Sequence, residues 1–285
     1  MEELNIQWFP GHMTKARRQI TADSKLVDAV CEVIDARIPR ASRNPDVADI
    51  TLEKPRLIVM SRIDQADPAV TKLWNEHFRL RGEAVIEVDC KTGHGVQGFP
   101  SAVRALLRHE LERRAEKGQS GRAIRVMVVG VPNVGKSSFI NRVARRKAAH
   151  SSDKPGVTRG RQWITVDSGL ELLDTPGILW PKFDDKIIGE NLAFTGAVRD
   201  EILDAESLGA NLLARLSVAY PKSVTERYGI VLSEDGFAML TALAKRRGFL
   251  LSGGECDLLR AANILLDEFR GGKLGRVSLE KPEAL

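Results

Sequence analysis

Gly130-Val-Pro-Asn-Val-Gly-Lys-Ser137 is the stretch that leaves this chain least freedom. It matches G-x-x-x-x-G-K-[ST], follows the apolar, β-branched run Ile124–Val129, and opens a helical pattern over Lys136–Arg145. Glycines let successive backbone N–H groups curl around phosphate oxygens, and a helix N-terminus adds positive potential. Strand, glycine loop and helix in that order predict an α/β fold that holds a nucleoside triphosphate. Asn133, Val134 and Gly135 belong to the loop, Lys136 can reach the β- and γ-phosphates, Ser137 can ligate Mg2+, and Ser138 follows in the first helical turn. The bland alternative is a glycine turn with a surface lysine. A chance match has odds on the order of one in a hundred, and the strand before it and the helix after it lower them further.

The chain around this loop alternates in the same way. Asp28–Ile34, Arg56–Met60 and Ala84–Val88 read as buried strands, and 14–25 (with Thr14 as N-cap), Pro68–Arg81 and Gly98–Glu116 as helices. Strands at 162–167 and 170–173 flank the turn Asp167-Ser-Gly169. Repeated strand–helix–strand spacing predicts a mostly parallel sheet with helices on both faces. Beyond about residue 180 the period becomes helical: Leu208, Leu212 and Leu216; Phe237, Leu240 and Ala244; Leu258, Ala262, Leu265 and Phe269. The expected division is therefore an α/β domain over 1–180 and a small all-helical domain over 181–285. The length of 285 residues suits two domains and a core that needs no staples. Cys31, Cys90 and Cys256 are too few and too scattered for a disulfide framework or a zinc cage. No apolar run approaches the ~20 residues of a membrane helix, and no apolar signal-peptide core follows Met1, so a cytoplasmic protein without a membrane partner is expected.

Leu172-Leu-Asp-Thr-Pro-Gly177 is an apolar strand running into Asp-x-x-Gly. Alone that tetrapeptide is a common turn. Here Asp174 lies 44 residues after Gly130 and directly after a hairpin, where it would hold Mg2+ through water while the Gly177 N–H meets the γ-phosphate. Thr158 lies between them in a polar loop, and its hydroxyl could complete the Mg2+ shell. Elements able to read the base come earlier in the chain. After Arg56–Met60 stands Ser61-Arg-Ile-Asp64, and the Asp64 carboxylate can accept from guanine N1–H and N2–H2, which adenine lacks. After the next strand, Asp89-Cys-Lys-Thr-Gly-His-Gly95 can offer the Cys90 N–H to guanine O6 with Lys91 flanking the base.

This order of motifs resembles the circularly permuted GTPases, specifically the ribosome biogenesis GTPase A family (YlqF/RbgA-like, related to mitochondrial Mtg-type GTPases). Ile6-Gln-Trp-Phe-Pro-Gly-His-Met13, Asp35-Ala-Arg-Ile-Pro39, Ser42-Arg-Asn-Pro45 and Asp174-Thr-Pro-Gly-Ile-Leu-Trp-Pro-Lys-Phe183 are similar to its hallmarks, and the likeness covers nearly the whole chain. Two positions depart from it: Ser61 stands where the family has Asn, and Arg62 where it has Lys. Ser is too short to do all that Asn does, bonding guanine N7 and bracing the phosphate loop; Arg can stack on the base instead of laying an aliphatic stem over it.

The resemblance implies a GTPase acting as a switch in late assembly of the large (50S) ribosomal subunit, slow by itself and stimulated by that subunit. Ile178 occupies the place where many GTPases carry a water-orienting Gln. His12 is the family's substitute, and Asn133 the residue that helps bind K+ near the β–γ bridge. The net charge of +5 and basic clusters at Lys15, Arg17 and Arg18, at Arg37, Arg40 and Arg43, at Arg142–Lys147, at Arg159 and Arg161, and at Lys245–Arg247 permit an rRNA partner recognised by shape and backbone. A monomer that does not bind DNA is expected. Three alternatives stand beside the GTPase: a nucleotide-dependent RNA-binding module with little catalysis, a P-loop ATPase, which Asp64 opposes, and a permuted relative with a zinc domain and an OB barrel, which the missing Cys/His cluster opposes.

Overall fold

The computed structural model describes residues 11–119, 121–148, 163–180, 183, 185–198 and 203–283, without the side chains of 12 and 145–148. It begins with helix α1, Gly11–Ser24. Thr14, expected to cap this helix, lies inside it instead, because Gly11 to Met13 before it are already helical.

Strands β1 (Ala29–Asp35), β2 (Arg56–Ser61), β3 (Ala84–Glu87), β4 (Ile124–Val129), β5 (Trp163–Asp167) and β6 (Leu170–Asp174) form one sheet in the order β3-β2-β1-β4-β6-β5. All neighbours are parallel except the hairpin of β5 and β6. The sequence reading of a mostly parallel sheet is thus the observed fold, with strand ends shifted by a residue or so.

Period-2 alternation assigns the two faces. Val30, Met127 and Val129 pack with Ala16 and Ile20 of α1, and Ile34, Ile58 and Met60 with Trp74 and Phe78 of α3 (Pro68–Leu80). Cys31, Val33, Leu57, Val59, Val126 and Val128 point the other way, into a cluster with Phe99 and Val103 of α4 (Phe99–Leu106) and Phe139 and Val143 of α6 (Lys136–Ala148). The single helix expected over 98–116 is in fact a short 3-10 turn, α4 and α5 (Arg108–Glu116), broken at Leu107, whose ψ of 11° leaves the helical range. The amphipathic face ends there: α5 buries no residue. A short α2, Val47–Ile50, follows the basic loop.

The C-terminal region is helical: α7 (Lys186–Phe194), α8 (Ala205–Ala219), α9 (Pro221–Tyr228), α10 (Gly236–Arg247) and α11 (Leu258–Arg270). Asp185, Asp204, Asp235 and Asp257 cap α7, α8, α10 and α11 by accepting backbone N–H bonds. Leu208, Leu212, Leu240 and Leu265 lie in the same buried cluster as Cys31 and Val59 of the sheet, so core packing is continuous between the two regions.

After α11 the chain returns to the sheet as an irregular strap. Val277 N–H donates to the Gln65 carbonyl at 2.9 Å and Leu279 N–H to the Arg37 carbonyl at 2.8 Å. The Glu280 carboxylate accepts from Arg40 N–H at 2.7 Å, Ala41 N–H at 3.1 Å and Asn191 Nδ2 at 2.9 Å.

Candidate nucleotide site

All five parallel strands end at one edge of the sheet. The chain runs from β1 outward to β2 and β3, then returns as β4 on the other side of β1. That reversal opens the crevice in which doubly wound sheets bind ligands. Ser61, Cys90, Gly130 and Asp174 all lie at or just past strand ends on this edge.

The phosphate loop leaves β4 at Gly130, and α6 starts at Lys136. Asn133 takes φ +57°, a left-handed conformation that asparagine tolerates better than most residues. Lys136 is buried, and burial pushes its ammonium below the ordinary lysine range, opposed by the Asp174 carboxylate. Partial desolvation likewise pushes Asp174 up from the usual aspartate range, with Lys136 opposing. The Thr175 hydroxyl donates to the Val128 carbonyl at 2.7 Å, pinning the turn after Asp174 to β4. Gly177 is obligatory here, because a Cβ on it would lie 2.9 Å from the Pro132 backbone. Ile178 N–H donates to the Gly130 carbonyl at 3.3 Å. The Asp-x-x-Gly segment therefore lies directly on the phosphate loop.

Ser61 joins the base-reading segment to the same loop. Its hydroxyl lies 2.6 Å from the Val134 carbonyl and 2.9 Å from that of Ile34, and donates to one at a time. Arg62 donates to the Asn133 carbonyl at 3.0 Å and lies 3.4 Å from the Arg270 carbonyl at the end of α11. Between these segments is a cavity of about 160 Å³ lined by Ser61, Arg62, Asp64, Cys90, Lys91 and Ser138, among others. That is well below the ~300–1,000 Å³ of drug-sized pockets and suits one flat heterocycle. The Asp64 carboxylate faces Lys91 Nζ at 2.6 Å; Lys91 is 65% exposed, so this pair is weak and can be displaced. Burial, with Asp89 and Asp64 nearby, pushes the Cys90 thiol up to about 11, so it remains protonated.

Of the residues singled out in sequence, Ser61, Arg62, Asp64, Cys90, Lys91, Asn133, Val134, Gly135, Lys136, Ser137, Ser138, Asp174 and Gly177 thus gather at one edge. Thr158 lies outside the described residues, as does the side chain of His12. The helix carrying His12 is described: Ala16 and Ile20 share a buried cluster with Ile178. Ile178 itself is 2% exposed and cannot orient water.

Three contacts made by residues already singled out escaped the sequence reading. Asp89 accepts from Lys91 N–H at 2.7 Å and from the Thr92 hydroxyl at 2.6 Å, fixing the loop that presents Cys90. The spacing Asp89…Thr92 was the available signal for that turn. Asp35 and the fully buried Arg37 form a two-pronged pair (2.7 and 3.0 Å), and Arg37 also donates to the Phe269 carbonyl at 3.0 Å. Asn133 Nδ2 donates to the Gly196 carbonyl, so the phosphate loop touches the turn after α7.

A hard-oxygen donor set, the Ser137 hydroxyl and Asp174 carboxylate, fits Mg2+ better than a softer metal. Among the described residues no group of three or more His, Cys, Asp or Glu side chains could hold a metal by itself, and no helix is long and apolar enough to cross a membrane.

Comparison with known proteins agrees with this geometry. A family profile described as "50S ribosome-binding GTPase" matches residues 125–209, the part that begins at β4. The chain is 44% identical to ribosome biogenesis GTPase A of Bacillus cereus over 98% of its length and 94% of that protein. It is 31% identical to mitochondrial ribosome-associated GTPase 1 of Mus musculus, covering 96% of this chain and 90% of that one. The crystal structure of GNP-bound YlqF from T. maritima superposes with a TM-score of 0.69 at 31% identity, covering 95% of this chain and all of that one. A permuted site on this sheet, with relatives matched along essentially their full length, identifies the chain as a member of the ribosome biogenesis GTPase A family.

Proposed function

We propose that this protein binds GTP and GDP, hydrolyses GTP to GDP and phosphate, and uses that cycle as a switch in late assembly of the large (50S) ribosomal subunit in the cytoplasm. The observation that carries this reading is Ser61 bonded to the Val134 carbonyl, which brings the Asp64–Cys90 cavity against the Lys136 loop so that one guanine nucleotide can be held at both ends. Asp64 accepts from guanine N1–H and N2–H2, and the Cys90 N–H donates to O6. Lys136 and the loop N–H groups offset charge that spreads over the phosphates during transfer. Ser137, Asp174 and Thr158 are the Mg2+-holding residues and Asn133 the K+-holding one. When bound, these ions supply positive charge at the β- and γ-phosphates.

His12 is the water-orienting group of this reading. The packing of its helix against the cluster containing Ile178 supports that role. Intrinsic turnover is slow and the large subunit stimulates it. Residues 1–180 form the GTPase unit and 181–285 a helical unit that contacts rRNA, acting as a monomer.

The burial of Ile178 also supports a second reading, a nucleotide-dependent RNA-binding module with little catalysis. One design tests both: pelleting with large subunits under GTP analogue, GDP or no nucleotide, in K+ and in Na+, with phosphate release measured alongside. Nucleotide-dependent pelleting with faster release in the presence of subunits is expected. Pelleting without stimulated release selects the second reading, and calorimetry that finds ADP bound as tightly as GDP refutes the guanine-specific GTPase reading.

A further inference from the structure

A second cavity, about 550 Å³, is more than three times the volume of the guanine-sized one and shares none of its residues. Its walls come from parts of the chain to which nucleotide binding gives no task. Arg40 and Arg43 stand on the basic loop, Trp74 and Arg81 at α3, Trp180 three residues after Gly177, and Lys281 on the C-terminal strap. Trp74 is fixed by donating its Nε1–H to the Glu280 carbonyl at 3.1 Å. Trp74 and Trp180 are buried, 4% and 8% exposed, and line the cavity together with the exposed Arg40, Arg81 and Lys281.

The cations differ in how they are engaged. Arg43 is paired with Glu83 at 2.8 Å and Glu32 at 3.4 Å, so it is part of the wall. Arg40 is 55% exposed and only loosely paired with Asp185 at 3.4 Å and Glu283 at 3.8 Å, contacts a phosphate could replace. Arg81 and Lys281 are exposed and have no ion partner among the described residues. Among the described lining residues, four arginine and lysine side chains stand against two carboxylates, a net positive balance.

We propose that this cavity is a second nucleotide-sized site, which takes an unpaired nucleotide of single-stranded RNA, its base against the indoles and its phosphates on Arg40, Arg81 and Lys281. Indoles lining a cavity together with cations that are unpaired or only loosely paired are what a base and its phosphates require. An acidic peptide would use the cations and leave the indoles unmatched. This inference rests on the rRNA-partner reading above and locates one contact within it.

The test uses the full chain with GTP analogue and Mg2+, and a fluorescein-labelled ten-nucleotide oligouridine followed by anisotropy. The R81E/K281E double variant reverses two exposed charges outside the GTP site, so GDP affinity by calorimetry should be unchanged, which also verifies folding. RNA affinity should fall at least ~10-fold, and the slope of log K against log salt should shrink by about 1.4, at ~0.7 per lost single-strand contact. An R108E/K117E control, two exposed positions outside the cavity and outside the basic clusters, should change affinity far less. Photocrosslinks from 4-thiouridine RNA should map to residues 37–45 or 70–81.

R81E/K281E binding RNA as the unmodified chain does, or crosslinks mapping elsewhere, would overturn the site while leaving the GTPase reading intact. Failure of the unmodified chain to bind either RNA or large subunits in any nucleotide state would end both. Competition by free uridine monophosphate at the affinity of the strand would make the ligand a free nucleotide and overturn the RNA assignment.

Discussion

At the residue scale, the proposed base specificity and the order of the loop rest on two carboxylates of opposite character. Among the described residues, Asp64 lines the cavity in an ion pair with the solvent-exposed Lys91, a partner it can exchange for guanine. Asp64→Asn removes a charged acceptor of two hydrogen bonds, each worth ~1.5–3 kcal/mol, so GDP affinity should fall by about 100-fold or more. Xanthosine diphosphate presents a carbonyl at C2 and should gain affinity in the same variant. Calorimetry with both nucleotides checks this, and an unchanged GDP:XDP ratio would remove Asp64 from base recognition.

Asp89 is engaged already. Burial acts to raise its carboxyl, but the Thr92 hydroxyl and the Lys91 and Thr92 N–H groups outweigh it and hold the group below its ordinary 3.8. A carboxyl depressed in the folded state stabilises above its unfolded value and loses that contribution as pH falls through the folded value. The loop over 89–94, and the guanine affinity it supports, should therefore weaken only below about pH 4. Asp89→Ala should cost ~1–2 kcal/mol at neutral pH and flatten that acid limb, as read by urea unfolding across pH.

At the element scale, two arginines tie the sheet edge to the end of α11. Arg37 is held by Asp35 and donates to the Phe269 carbonyl; Arg62 bridges the carbonyls of Asn133 and Arg270. Arg37 and Arg62 together hold the Asp35 carboxyl below its usual range even though burial opposes them. Arg37→Met strands that carboxylate in the core and should lower stability by ~3–5 kcal/mol. The D35N/R37M double variant should recover much of the loss, because it removes the unpaired charge as well; equal denaturation midpoints for single and double variants would contradict this account.

Arg62 bonds both the loop that would hold phosphate and a helix far along the chain. Lysine has one ammonium and no fork, so it cannot span both carbonyls. In the unmodified chain GDP should slow amide exchange at 268–272. In Arg62→Lys, GDP should still bind while that protection is lost.

For the whole molecule, the strap after α11 closes the structure on itself. Its Glu280 carboxylate satisfies the N–H groups of Arg40 and Ala41 at the start of the basic loop and the Asn191 amide on α7. Glu280→Ala leaves those donors unmatched and should cost ~1–3 kcal/mol. Amide exchange should rise at 37–45 and 63–67, two of the segments the strap bonds, with little change in α5, where the strap makes no hydrogen bond. Uniform loosening across the chain would show instead that the strap contributes only to global stability.

Local chemistry made much of this molecule readable in one dimension. The glycine loop of 130–137, the strands on either side of it, and Asp64 after its strand are each defined by neighbours a few residues away, so periodicity and motif spacing suffice. Helix α7, α9 and the break at Leu107 were missed, although Asp185 before α7 and Pro221 at the start of α9 were legible signals. Tertiary structure alone decided the rest. Pairing Arg37 with Phe269, Asn133 with Gly196, or Glu280 with Arg40 joins residues 63 to 240 positions apart through irregular backbone. Such contacts have no period to detect. They form because buried charges and backbone donors must find partners once the sheet and the helices have excluded water.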